Sequence, residues 1–336
     1  MKINILVPHF KKSGGLRISL GYAHYLTLLG HQVFVFCENK SWSRFLKPLF
    51  FKHDFLPKKT KVKFRQVTDF AKVPRSGALI TDSWEVTKKA YQPELSGRHW
   101  QLVQHDERLY HGQPAEVDQV YRLPLNKIVV STWLKEIFRR DYNQQPELIL
   151  NPLDTDLFRP TVREKSEQEL RILLLHHTYD WKGTKEGIEM VQSLKKKYPR
   201  IKLILFGSRK AEAGFDCDEY YFDLEQGKLP WLYSNSDIFL CPSWDEGSGL
   251  PALEAMACKC AVVTYNNGGS RDYAFDGKTA LVAERKNQDE LKNKLEMLIV
   301  NRDLRRVLIQ NAYDFIKQRP TWFEQTKKLE KLLTYA

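Results

Sequence analysis

Glu246 and Glu254 stand eight positions apart, on either side of the run Gly247-Ser248-Gly249-Leu250-Pro251. That spacing has a chemical use. Ile238-Phe239-Leu240 reads as a strand and Leu253 to Ala257 as a helix, and Pro251 fits a first helical position. The amides of Gly247, Ser248 and Gly249 are then expected to be exposed at a helix N-terminus, a pocket for an anion and most simply for a phosphate. Carboxylates accept hydrogen bonds from paired hydroxyls. With a diphosphate at the helix start, the two glutamates can hold a sugar on one side and a ribose on the other. The same residues also fit an ordinary strand–turn–helix junction with surface glutamates.

The elements that must position them alternate along the whole chain. Ile3 to Val7 is a short apolar run, followed by the polar loop Lys11-Lys12-Ser13-Gly14-Gly15, a helical stretch from Leu16 to Leu29, and a strand at Val33 to Phe36. Ala78 to Ile80, Gln101 to Val103, Lys127 to Val130 and Leu148 to Leu150 read as further strands, with a helix over Trp133 to Arg140. Turn-forming residues then cluster at Asn151 to Pro160, so a linker is expected at about 152–168. A second series follows, with strands at Arg171 to Leu175, Lys202 to Phe206 and Ala261 to Val263 and a helix over Lys185 to Lys197. His176 and His177 are expected on a strand, facing opposite ways. Strand–helix alternation implies parallel sheets covered on both faces, and ligands in such sheets bind beyond the carboxyl ends of the strands.

The segment Pro-Ser-x-x-Glu-Gly-x-Gly-Leu-Pro-x-x-Glu-Ala-Met-Ala, from Pro242 to Ala257, resembles the signature of family 4 glycosyltransferases. Gly268-Gly269-Ser270-Arg271-Asp272 and the hinge-like Asn151 to Pro160 are similar to further family segments, as are the Gly14-Gly15 loop and Gly30-His31-x-Val33. The resemblance implies an α/β fold of GT-B type: two Rossmann-like, doubly wound parallel-sheet domains facing a central cleft. On that reading residues 1–155 form the acceptor-binding domain and 156–318 the donor domain, with a C-terminal helix over 319–336 packing back toward the first. It implies a retaining transfer from a nucleotide-diphosphate sugar to a hydroxyl of a glycan or lipid-linked acceptor, in cell-surface polysaccharide biosynthesis. Glu246 would hold the transferred sugar, Glu254 the ribose, and Gly247, Ser248, Gly249 and Leu250 the phosphates. Lys182 would neutralise the diphosphate, His105 would lie near the sugar, Gly14 and Gly15 would let backbone approach the donor, and Gly207 and Arg209 would also line its site.

The chain departs from the family pattern at several positions. His177 stands where the family has an arginine, with Arg209 as a possible substitute; Lys259, Ala261, Asp272 and Pro152 replace the usual glycine, proline, glutamate and hinge glycine. The implied mechanism forms no covalent enzyme intermediate, and the leaving phosphate accepts the acceptor's proton, so the enzyme positions and stabilises charge. No cofactor and no obligatory metal are expected: Asp154-Thr-Asp156 and Asp216-Cys-Asp218 spell a metal-binding motif of a different fold but fall in the hinge and a polar loop.

Composition bounds the alternatives. At 336 residues, 42% hydrophobic and 28% charged, the chain suits roughly two globular domains. No apolar run approaches a membrane span, and the N-terminal one is too short for a signal peptide. Five cysteines without disulfide rhythm read as reduced thiols in the cytoplasm. Residues 40–75 carry eleven lysines and arginines against Asp54 and Asp69, +9 of the chain's net +12. Aromatic residues are interleaved there, which suits peripheral contact with an anionic membrane surface on the inner face of the cell membrane. A sugar-nucleotide epimerase or hydrolase of the same fold remains an alternative. A nucleic-acid-binding protein would explain the charge but not the glutamate–glycine helix start.

Overall fold

The computed structural model describes residues 1–38, 55–57, 59–164, 166, 168–210 and 216–335. Most of the basic, aromatic run expected to meet a membrane, 40–54 with 58, lies outside the described residues. The chain divides into two compact units, Met1–Pro152 with Thr321–Ala336, and Leu153–Pro320. The boundary thus falls at Pro152, three residues before the expected one, and the first unit takes in the last helix.

Unit one is a parallel sheet of β1 (Lys2–Val7), β2 (Gln32–Glu38), β3 (Lys63–Val67), β4 (Ala78–Thr81), β5 (His99–Val103), β6 (Asn126–Val129) and β7 (Glu147–Leu148), in the order β3-β2-β1-β4-β5-β6-β7. Its helices are α1 (Gly14–Leu28), α2 (Trp84–Ala90), α3 (Pro114–Tyr121) and α4 (Thr132–Tyr142). Ser13 starts α1 by accepting from the Leu16 N–H at 3.2 Å. The apolar face of α1, including Leu16, Leu20, Ala23 and Leu26, is buried.

Unit two is a second parallel sheet of β8 (Leu170–Leu175), β9 (Ile201–Gly207), β10 (Glu219–Phe222), β11 (Ile238–Cys241), β12 (Ala261–Tyr265) and β13 (Leu281–Ala283), in the order β10-β9-β8-β11-β12-β13. With it go α5 (Thr184–Lys195), α6 (Leu229–Ser234), α7 (Leu250–Ala257), α8 (Gln288–Val300) and α9 (Arg302–Lys317). The near-continuous apolar strands of this sheet are buried on both faces. Leu174, Leu205, Leu240 and Val263 belong to one core cluster with Val191 of α5 and Leu295 of α8.

The last helix, α10 (Trp322–Tyr335), belongs to unit one. The ring of Trp322 stacks on Tyr25 at 5.7 Å and meets Tyr22 edge-on at 5.4 Å. A Cβ on Gly21 would lie 2.1 Å from that indole, so the missing side chain is what admits it. In both sheets the strand order reverses beside the first strand, between β1 and β4 and between β8 and β11. Those switch points are where open α/β sheets bind ligands. No helix among the described residues is long and apolar enough to cross a membrane.

Candidate functional site

The switch point of unit two is built by the segments leaving β8 and β11. β8 ends at Leu175, so His176 and His177 lie just past the strand rather than on it. A tight turn, Asp180–Lys182, then leads through left-handed Gly183 (φ 67°) into α5. The Lys182 ammonium donates to Glu246 Oε1 at 2.6 Å and lies over the Trp181 ring at 4.2 Å. Both partners are largely shielded, with side-chain exposures of 15% and 11%. Trp181 is fixed in turn, because its carbonyl accepts from the Trp244 N–H at 2.8 Å.

After β11 the chain runs to Gly249, which caps α7 with φ 71° and ψ 46°. The helix begins at Leu250, which puts Pro251 at its second position. The N–H groups of Gly247, Ser248, Gly249 and Leu250 donate to no acceptor among the described residues. Gly247, Ser248 and Gly249 are buried rather than exposed as the sequence suggested. The reason is a loop from β12 that covers them. Glu246 N–H donates to the Asn267 carbonyl at 2.7 Å, Gly269 N–H to the Glu246 carbonyl at 2.9 Å, and the Tyr273 hydroxyl to the Gly249 carbonyl at 3.3 Å. Unpaired donors at a helix start, shielded from water and beside a lysine, favour an anion.

Gly249 is tightly constrained. A Cβ there would sit 2.2 Å from the Tyr273 hydroxyl, on a backbone that L side chains rarely adopt. Gly249→Ala is expected to lower the melting temperature and nucleotide binding together, since αL geometry alone costs about 1–2 kcal/mol. A variant melting with the wild type in calorimetry would contradict this account of the turn.

The other residues singled out in unit two are placed as follows. Glu254 is buried inside the first turns of α7, where its Oε2 accepts from the Tyr233 hydroxyl at 2.9 Å. Gly207 ends β9, with the His176 carbonyl 2.6 Å from where its Cβ would be. Arg209 is exposed two residues later, near enough to His177 for its charge to act on that ring. Asp218 is engaged by Lys195 and Lys202 and by the Leu203 N–H. The sequence reading missed the brace beneath Glu246: Asp245 is buried and paired through both oxygens with Arg285, at 2.8 and 2.6 Å. Forty residues separate the two, and nothing local marks them as partners.

In unit one, Gly14 and Gly15 open α1 beyond the end of β1, and the Gln104 amide donates to the Gly15 carbonyl at 3.1 Å. His105 follows β5, and its Nδ1 donates to the Asp106 carbonyl at 3.0 Å. Arg108 clamps Asp106 through two 2.8 Å bonds and reaches Asp141 at 2.9 Å, which holds the loop carrying His105.

At the end of β4, Asp82 Oδ2 accepts from the Ser19 hydroxyl at 2.8 Å while Oδ1 is buried without a partner. Burial pushes this carboxyl up to about 7, against the pull of Ser19. Glu107 is also raised by burial, with repulsion from Asp82 added. Near pH 4 and below, Asp82 is protonated in both folded and unfolded states; as pH rises toward 7 only the unfolded chain releases the proton, so stability falls across that window. Asp82→Asn should therefore melt above the wild type at pH 8 and close to it at pH 4. Equal melting at both would show that Asp82 ionises freely.

With this geometry in place, the relatives are informative. Residues 158–315 match the family model described as glycosyl transferases group 1. An uncharacterized glycosyltransferase of Methanocaldococcus jannaschii is 26% identical over 51% of this chain and 46% of its own length. The capsular polysaccharide biosynthesis glycosyltransferase CapM of Staphylococcus aureus is 27% identical over 39% of this chain and 37% of its own. The matched part of the chain thus spans less than half the length of these curated relatives. Among solved structures, sucrose-phosphate synthase from Thermosynechococcus elongatus superposes with a TM-score of 0.81 over 98% of both chains at 15% identity. Anabaena HepE, in complex with UDP, superposes at 0.76 over 100% of both at 15% identity. Identities that low carry the fold alone: two Rossmann-like parallel-sheet units matching GT-B glycosyltransferase structures.

Proposed function

On the premise that residues 158–315 are a group 1 glycosyl transferase domain, we propose that the chain transfers a sugar from a nucleotide-diphosphate sugar to a hydroxyl acceptor. The observation that carries this is the set of four unpaired N–H groups at Gly247 to Leu250, next to Lys182 held on Glu246. A diphosphate satisfies those donors and offers Lys182 a second anion. Glu246, released from Lys182, then accepts from hydroxyls of the transferred sugar. Glu254, steadied by Tyr233, meets the ribose. The neighbour HepE was solved with UDP, which supports a nucleoside diphosphate as the ligand class.

The transfer is proposed to retain the anomeric configuration, with the leaving phosphate taking the acceptor's proton. As the bond to the diphosphate breaks, negative charge grows on the phosphate oxygens, where Lys182 and the start of α7 act on it. Unit one, with Gly14, Gly15 and His105, supplies the acceptor side. CapM's part in capsular polysaccharide biosynthesis supports a cell-surface glycan as product, and a nucleotide-sugar donor implies a cytoplasmic setting. Residues 40–75 are proposed to hold the enzyme on anionic lipid, and no metal is needed. Titration with UDP, GDP, ADP and dTDP and their sugars, followed by NMR of the product's anomeric centre, tests the reading. No binding of any diphosphate would end it, and inversion would end its retaining part. Turnover surviving EDTA, and flotation with anionic but not neutral liposomes at low salt, are expected; loss of turnover to EDTA, restored by Mg²⁺, would overturn the metal-free proposal.

A further inference from the structure

We propose that His177 binds the diphosphate as an uncharged hydrogen-bond donor, through Nε2–H, so that this site meets its anion with a lysine and a neutral imidazole. The proposal rests on the nucleoside-diphosphate reading of the site and adds a residue-specific role to it.

The ring's protonation follows from its contacts. The Tyr179 N–H donates to His177 Nδ1 at 3.1 Å. A nitrogen that accepts carries no proton, so the neutral ring must hold its hydrogen on Nε2. His177 bonds to nothing else through its ring among the described residues, and the ring is only half-buried, so Nε2–H is an available donor. The backbone beneath it is pinned from α5. His177 N–H donates to Thr184 Oγ1 at 3.0 Å, and that hydroxyl lies 3.1 Å from the His177 carbonyl. The Tyr179 ring lies 4.5 Å away, centroid to centroid.

The charges around the ring keep it neutral. Burial acts first, then Lys182, with His176 and Arg209 in the same direction and Glu246 opposing; together they bring the imidazole down to about 4. A second positive charge beside Lys182 is therefore not available near neutral pH. What the ring supplies is direction: a fixed N–H, close enough to Lys182 and Glu246 to feel both. Such a donor suits an acceptor-only oxygen, which a phosphate has and a sugar hydroxyl shares only in part.

The test uses the full chain with UDP, GDP, ADP and dTDP, read by calorimetry, and the best-bound of these is carried through. His177→Ala is expected to weaken it by about tenfold or more, as for a hydrogen bond to a charged group. His177→Gln, whose amide N–H reaches a similar point, is expected to recover most of that affinity. A comparison of two folded variants separates donation from packing. On ¹⁵N-histidine-labelled protein at pH 7, the resonances lost in His177→Gln should report an unprotonated Nδ1 and a protonated Nε2. If the wild type binds none of the four, the diphosphate reading falls and this proposal falls with it. If the wild type binds while the alanine variant binds equally, or the alanine and glutamine variants are weakened alike, or the proton sits on Nδ1 or on both nitrogens, the role of His177 is overturned and the reading stands.

Discussion

Lys182→Met is expected to lower turnover by about 10²–10³-fold, the range seen when one preorganised charge-stabilising donor is removed from a shielded site. The ammonium sits between a carboxylate and an indole face, on a turn braced by Trp244, so it is held in place before any ligand arrives. A preorganised charge costs no reorganisation as the diphosphate leaves. Methionine keeps the stem's packing against Trp181 and removes only the charge. Glu246 then loses its counter-ion while largely buried, so some stability goes as well. Melting curves recorded beside the rates separate the two effects. Lys182→Arg keeps the charge but not the geometry, because a planar fork cannot replace a point donor on a single oxygen; partial activity is expected. Turnover within a few-fold of wild type in Lys182→Met would move the working cation elsewhere, Arg209 being the nearest alternative.

The sequence made the site legible to an uneven degree, for physical reasons. Gly247 to Ala257 could be read because helix starts carry strong local rules: a left-handed cap, proline in the first turn, good helix formers behind it. Buried parallel strands such as Leu170–Leu175 could be read from their apolar runs. The edge strands could not. In β3, Lys63 and Arg65 alternate with Phe64, and β10 is the half-exposed run Glu-Tyr-Tyr-Phe, so neither has the apolar run of a central strand. His177 was misplaced onto a strand because Leu173, Leu174 and Leu175 run straight into it; the chain turns off where the ring meets the Tyr179 N–H. The covering of Gly247 to Gly249 depends on a loop some twenty residues downstream, and the Asp245–Arg285 brace on a partner forty residues away. Tertiary pairings of that kind leave no periodicity to find. What motif spacing gives is the cast of groups, and what the fold adds is which of them are already committed to one another.

That commitment is why Glu246→Gln should separate binding from catalysis. In the unliganded protein Glu246 and Lys182 neutralise each other at 2.6 Å. A diphosphate must share or displace that carboxylate and also approach its negative charge. Unit charges 4 Å apart interact by about 4 kcal/mol at an effective dielectric near 20, and solvent reaching the site reduces this. Glutamine still accepts a hydrogen bond from the ammonium but leaves its charge uncompensated. The free nucleoside diphosphate is therefore expected to bind about tenfold tighter to Glu246→Gln than to the wild type. Turnover should move the other way, by about 10²-fold, because the amide neither favours the positive charge developing on the sugar nor accepts from paired hydroxyls as a carboxylate does. Calorimetry with the diphosphate alone, set against initial rates with the full donor, reads both. Affinity falling in step with turnover would mean that Glu246 supports the nucleotide directly, and the ion pair would then be a scaffold for the ligand rather than a competitor with it.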